Sequence, residues 1–171
     1  MNYIYVGEIV NTHGIKGEVR LLSDFKYKTD VFKKDFVVYI GKEKKKFVIN
    51  TYRHHKIFDM VTFQGIEDIN DVLDYKGMKV YINKSDLKID GILDEDVIGL
   101  KAYNGTKLIG EVTEIMKNKA HDILVIEHDD KRYLVPYIDE FVTKIDLKNK
   151  RVYLKLIEGM LNEDWYTNTI S

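Results

Sequence analysis

The sequence predicts a mostly β protein built from two small β modules. Short apolar stretches recur between turn residues about every 8–12 positions, as in small barrels and sandwiches. Helical periodicity is confined to one stretch, residues 69–75. Regular patterning also lapses across residues 83–94 (NKSDLKIDGILD), which separates two strand series.

In the first series, strands are expected at residues 3–10, 18–23, 36–40, 45–54, 60–63 and 78–82. Six short strands at this spacing suit a small closed barrel better than an open sheet. The single helix is expected over 69–75, with Asp68 as N-cap, Asp71 in the first turn and Gly77 closing the far end. The second series is expected at 97–103, 107–116, 122–128, 131–136 and 151–156, with turns at Asn104-Gly105 and Asp129-Asp130. Pro136, the one proline, should end its strand and direct the chain into a helical turn at 138–141. Tyr133, Tyr137 and Phe141 then read as core. The boundaries that follow are an N-terminal module at 1–84, a linker at 85–95, a second module at 96–162 and a tail at 163–171.

Composition removes several function classes. The 171 residues include no cysteine, so there is no disulfide framework, thiol nucleophile or thiolate metal site. The N-terminus lacks a basic and apolar leader pattern, and no apolar run reaches the roughly 18 residues needed to span a bilayer. A soluble, cytoplasmic protein is the expectation. The net charge of -1 conceals an asymmetry: residues 1–88 carry 16 Lys/Arg against 12 Asp/Glu, and residues 89–171 carry 11 against 16. Opposite signs on two halves suit different partners. The run GKEKKK (residues 41–46) reads as a solvated hairpin turn or as a phosphate-facing patch.

Residues 5–24 (YVGEIVNTHGIKGEVRLLSD) place two strands around a loop hinged by Gly14 and Gly17, residues tolerant of positive φ. The loop presents His13, Ile15, Lys16 and Arg20 on a shaped rim suited to a polyanion or a protein partner. Lys16 and Arg20 fit phosphate contacts, since long cationic side chains reach the nucleic-acid backbone. Arg20 could instead pair with Glu8 or Glu18. His13 fits an RNA or partner contact, or a cap on the loop backbone. Arg53 is a further candidate RNA contact. The Arg53-His54-His55 run is not a metal site, because adjacent histidines on a strand point to opposite faces and no HExxH partner exists. The serines (Ser23, Ser85, Ser171) stand in no nucleophile-elbow frame, and His121-Asp122 has no nucleophile beside it.

Longer runs carry a resemblance. VGEIVNTHGIKGEVRL (6–21), Arg53-His54 with VTFQGI (61–66), and Asp71-Val72-Leu73 leading to Gly77 resemble the N-terminal half of the RimM family of small-subunit ribosome maturation factors. DVIGLKAY (96–103), IGEVTEI (109–115), HDILVI (121–126), YLVPYIDEFVTKID (133–146) and EGML (158–161) resemble that family's PRC-barrel. The ordered set covers nearly the whole chain. The resemblance implies two β-barrels, an N-terminal translation-factor-like barrel with one short helix and a C-terminal PRC-barrel. It implies a monomeric, non-catalytic assembly factor for the small-subunit head that uses no cofactor. Its partners would be the small-subunit precursor, its ribosomal RNA and a head-bound ribosomal protein, the nineteenth of the small-subunit series.

One departure bears on that last partner. Many family members carry an aromatic pair just ahead of the DxIG run, where this chain has Ile92-Leu93. The resemblance places the ribosomal-protein contact at Ile92, Leu93 and Asp96, with Trp165 and Tyr166 as neighbouring aromatic anchors. Two other classes stay in view. A flavin-binding barrel enzyme would need a phosphate cradle that the glycine spacing does not supply, and a structural PRC-barrel adaptor would call for a membrane partner.

Overall fold

The computed structural model describes residues 1–157, 159 and 160. Trp165 and Tyr166 lie outside the described residues, as do residues 158 and 161 of the run 158–161. The chain divides into two compact units, with the boundary between Asp90 and Gly91.

The first unit is a closed antiparallel barrel. Its strands are β1 (Tyr3–His13), β2 (Glu18–Leu22), β3 (Val37–Ile40), β4 (Lys45–His55), β5 (Phe58–Phe63) and β6 (Lys79–Asn83). They close in the order β1-β2-β5-β4-β3-β6. β1 serves two neighbours because register shifts between Tyr5 and Gly7, and between Ile9 and Asn11, bend it from β6 towards β2. Alternation then sends Val6, Ile9, Val19, Leu21, Val38, Ile40, Phe47, Ile49, Val61, Phe63, Val80 and Ile82 into one core.

Two local expectations are corrected in this barrel. Residues 69–75 form two 3-10 turns, Ile69–Asp71 and Leu73–Tyr75, instead of an α-helix. Asp68 does act as the cap, its carboxylate accepting from the Asn70 amide at 2.9 Å. The segment is too short to repay α-helical nucleation, and its turns insert Val72, fully buried, into the core. The α-helix of this unit lies elsewhere: α1 (Lys28–Val31) is a single turn whose Val31 and the following Phe32 are buried in the core.

The second unit opens with α2 (Asp94–Val97) and continues through β7 (Lys101–Asn104), β8 (Lys107–Met116), β9 (Ile123–His128), β10 (Lys131–Pro136), β11 (Val142–Asp146) and β12 (Arg151–Leu154). The sheet order is β10-β9-β8-β7-β12-β11, with β12 and β7 parallel. The strand expected at 97–103 begins at Lys101, because Gly99 takes φ 96 and the Leu100 amide donates to the Val97 carbonyl at 3.1 Å. β11 was not anticipated. Pro136 ends β10 as expected, and residues 138–141 form one hydrogen-bonded turn that leads into β11.

Val97, Leu100, Ala102, Val112, Leu124, Ile126, Val135 and Val152 build the core of this unit, with Tyr133, Tyr137 and Phe141 packed against it. β9 is buried on both faces, and Ile123 and Val125 form a separate cluster with Leu134. Gly110 of β8 is required by a close approach: a Cβ there would lie 2.4 Å from the Glu127 carbonyl oxygen.

Candidate nucleic-acid interface

The β1–β2 loop is a glycine-hinged turn fastened from below. Gly14 and Gly17 take φ 70 and 96, and the Ile69 amide donates to the Ile15 carbonyl at 2.9 Å. Gly17 has a second reason to be glycine, since a Cβ would meet Ile66 at 3.1 Å and the Asp68 carbonyl at 3.3 Å. The tethered loop holds Lys16 in solvent and Ile15 77% exposed at its tip.

Beside the loop, β2, β4 and β5 bring together side chains distant in sequence. His13 opposes Glu18 across β1–β2, and Arg20 and Arg53 both oppose Met60, from β2 and β4 respectively. The Arg20 guanidinium donates to His13 Nδ1 at 2.8 Å and lies 5.4 Å from the centre of the Phe58 ring. Arginine has only donors, so His13 Nδ1 is the acceptor in this contact. Arg20 Nε is buried without a hydrogen-bond partner. The anticipated pairing of Arg20 with Glu8 or Glu18 is not formed.

Glu18 belongs to Arg53 instead. Arg53 Nε and Nη2 donate to its two carboxylate oxygens at 3.0 and 2.8 Å, a bidentate pair. The hydrogen bonds from Arg53 hold the Glu18 carboxyl below its ordinary range, and the charges of Arg53 and Arg20 add to the effect against burial. His55, two residues from Arg53 on the same face, is pushed down by desolvation and by the charges of Arg53, Lys56 and Arg20. The rim is thus a cationic cluster around one carboxylate. The structure gathers all four residues expected to face RNA: His13, Arg20 and Arg53 at the strands, Lys16 at the loop tip. Sequence reasoning missed Glu18 as the partner of Arg53, and missed His55 and Phe58, because the β4–β5 register that gathers them cannot be read locally.

A second polar cluster lies at the end of the same barrel. Asp59, fully buried, accepts from the Tyr52 hydroxyl at 2.6 Å and from the Lys28 ammonium at 3.0 Å. His54 Nδ1 stands 3.6 Å from the same carboxylate. These contacts close the barrel under α1 and leave Asp59 compensated on both oxygens.

In the second unit the expected ribosomal-protein contact looks different from its sequence reading. Leu93 is only 8% exposed, and Ile92 packs against the core of that unit. Both sit immediately before α2, whose apolar Val97 is fully buried, so the pair contributes packing. Asp94 is fixed by Lys117, whose ammonium donates to Asp94 and, at 3.0 Å, to Asp122. Burial opposes the charge on Lys117, but the two carboxylate hydrogen bonds outweigh it and raise the Lys117 pKa. Asp96 is half-buried beside this tie, in the first turn of α2.

Among the described residues no group of three or more His, Asp or Glu could hold a metal ion, and no helix is long and apolar enough to cross a membrane. The fold and the rim define a two-module β-barrel protein with a basic edge on its first module.

Comparison with known proteins gives that class its family. The RimM N-terminal domain matches residues 4–87, and the RimM PRC barrel domain matches residues 94–160. A ribosome maturation factor RimM of Streptococcus agalactiae is 40% identical over 172 residues, covering 96% of this chain and all of the relative. One from Finegoldia magna is 39% identical over 165 residues, covering 94% of this chain and all of that protein. The solution structure of the N-terminal domain of RimM from Thermus thermophilus covers 52% of this chain and 98% of that domain, at 18% identity and a TM-score of 0.45. The chain belongs to the RimM family.

Proposed function

We propose that this protein is a non-catalytic assembly factor of the small ribosomal subunit, acting in the cytoplasm without a cofactor. Its membership of the RimM family across both modules carries the reading. In the mechanism we favour, the rim of His13, Lys16, Arg20 and Arg53 meets the phosphates of immature small-subunit RNA. The second unit meets a head-bound ribosomal protein, the nineteenth of that series, near α2. Binding one conformation of the immature head better than others shifts the population towards it, and release follows when the mature form no longer offers that differential affinity.

The rim suits this role. Arg20 is aimed by His13 and Phe58, so little side-chain freedom is lost on binding, and Lys16 reaches outward from a tethered loop. The burial of Leu93 moves the second contact towards the exposed surface around Asp96, with Ile92 and Leu93 supporting it from beneath.

Co-sedimentation with mature and immature small subunits over a salt series tests the proposal. Preference for the immature particle, and an affinity that falls steeply with salt, are the expected results. Equal binding to both particles, or to neither with the protein folded, would overturn it. Lys16→Glu should weaken binding with thermal stability nearly unchanged, since the side chain is exposed.

A further inference from the structure

A face of the first barrel apart from the rim carries four tyrosines in a connected group. Tyr5 of β1 opposes Tyr81 of β6, and Tyr81 opposes Tyr39 of β3. Tyr3 joins them from two residues earlier on β1. Their neighbours Ile4, Val6, Val80, Ile82, Val38 and Ile40 point into the core, so the rings stand on the outer face. Ring centres lie 5.1 Å apart for Tyr3–Tyr39, 6.5 Å for Tyr3–Tyr81 and 6.0 Å for Tyr5–Tyr81, all edge to face. Tyr5, at the end of the row, is 48% exposed.

Lysines cover this row. Lys44, in the left-handed region with φ 54 in the β3–β4 turn, places its ammonium 4.1 Å from the Tyr81 ring centre and 5.6 Å from that of Tyr3. Lys79 lies 5.7 Å from the Tyr5 ring centre. Lys46 opposes Tyr39 and extends the row from β4. Carboxylates flank the group: Glu8 opposes Lys79, Asp24 acts on Tyr5 and Asp86 acts on Tyr39. Burial and these charges raise the pKa of both phenols, so the rings stay neutral.

We propose that this face binds an unpaired RNA strand, with bases stacking on the tyrosine row and Lys44, Lys46 and Lys79 taking the phosphates. Aromatic rings flanked by mobile cations are the elements of a single-strand platform. A protein docking site of this kind would be depleted of lysine at its centre, whereas here an ammonium covers the Tyr81 face. A base can take the place of that ammonium, and the displaced Lys44 is then within a side chain's reach of the adjoining phosphate. The lysine run at residues 42–46 becomes part of a surface and not only a solvated turn. The choice of RNA over DNA rests on the assembly-factor reading; the stacking surface itself does not.

Fluorescence anisotropy with a labelled oligouridylate of about ten nucleotides, and with an RNA duplex of similar length, tests this. The full-length protein should prefer the single strand. Tyr5→Ala should weaken that binding about tenfold while Tyr5→Phe retains it, because stacking needs the ring and not the hydroxyl. Lys44→Glu should weaken it further and flatten the salt dependence. Lys148→Glu, an exposed substitution in the second unit, should leave the preference for single strand intact. Equal affinity for strand and duplex, or unchanged binding by Tyr5→Ala and Lys44→Glu alike, would overturn the proposal. Persisting co-sedimentation with immature subunits in that case would leave the assembly-factor reading standing.

Discussion

The Tyr52 hydroxyl donates to the fully buried Asp59 carboxylate at 2.6 Å, joining β4 to β5. Burial, with the hydrogen bond and charge of Asp59 behind it, pushes the Tyr52 pKa up to about 12. In the unfolded chain the phenol titrates near 10.0. The folded state therefore holds its proton where the unfolded state has lost it. The contribution of this phenol to stability is fully present below pH 10.0 and declines as pH rises towards about 12. Urea denaturation of the wild type and Tyr52→Phe at a series of alkaline pH values should show the extra decline only in the wild type.

The other oxygen of Asp59 belongs to Lys28, whose side chain is 30% exposed. Lys28→Met leaves a buried carboxylate short of its charged partner. The expected loss is about 2–3 kcal/mol, towards the low end for breaking a buried pair because Tyr52 and His54 remain beside the carboxylate. A fall in the urea midpoint with an unchanged m-value checks it.

Glu18→Gln releases Arg53 from its bidentate partner. Because Arg53 is about half exposed, stability should change little at neutral pH. The carboxyl is held below 4.5 in the folded state, so its contribution is present above that value and lost as pH falls through the folded pKa. The midpoint difference between wild type and variant should accordingly shrink as the pH is lowered below 4.5. Binding to immature subunits should strengthen, since a competing carboxylate leaves the rim.

Leu93→Ala separates packing from recognition ahead of α2. With Leu93 8% exposed, thermal or urea unfolding should report a loss of about 2–3 kcal/mol. The folded variant should still bind the ribosomal protein at close to wild-type affinity, measured by titration calorimetry at a temperature where it is native. A large loss of affinity without loss of stability would place Leu93 in the contact itself.

Strands and glycine hinges were legible because their signals are local. Period-two alternation marked β2, β4 and β8 to within a residue or two, and Gly14 and Gly17 do take positive φ. The one-turn helices α1 and α2 escaped because four residues carry no helical period. β11 escaped because Thr143 and Lys144 interrupt its apolar pattern, while its partner β12 supplies the pairing that makes it a strand.

The amino-acid sequence by itself determined the two β modules, the basic loop and the family, since short-range patterning and ordered motifs suffice for these. Tertiary structure alone decided who meets whom. Arg53 reaches Glu18 across 35 positions, and Lys28 reaches Asp59 across 31. Tyr5, Tyr39 and Tyr81 become neighbours only when β6 pairs with both β1 and β3. The burial of Leu93, 8% exposed, is likewise a tertiary fact that no local stretch shows. Side-chain partnership between strands depends on register and closure, and these are set by the whole barrel core at once, not by any local stretch.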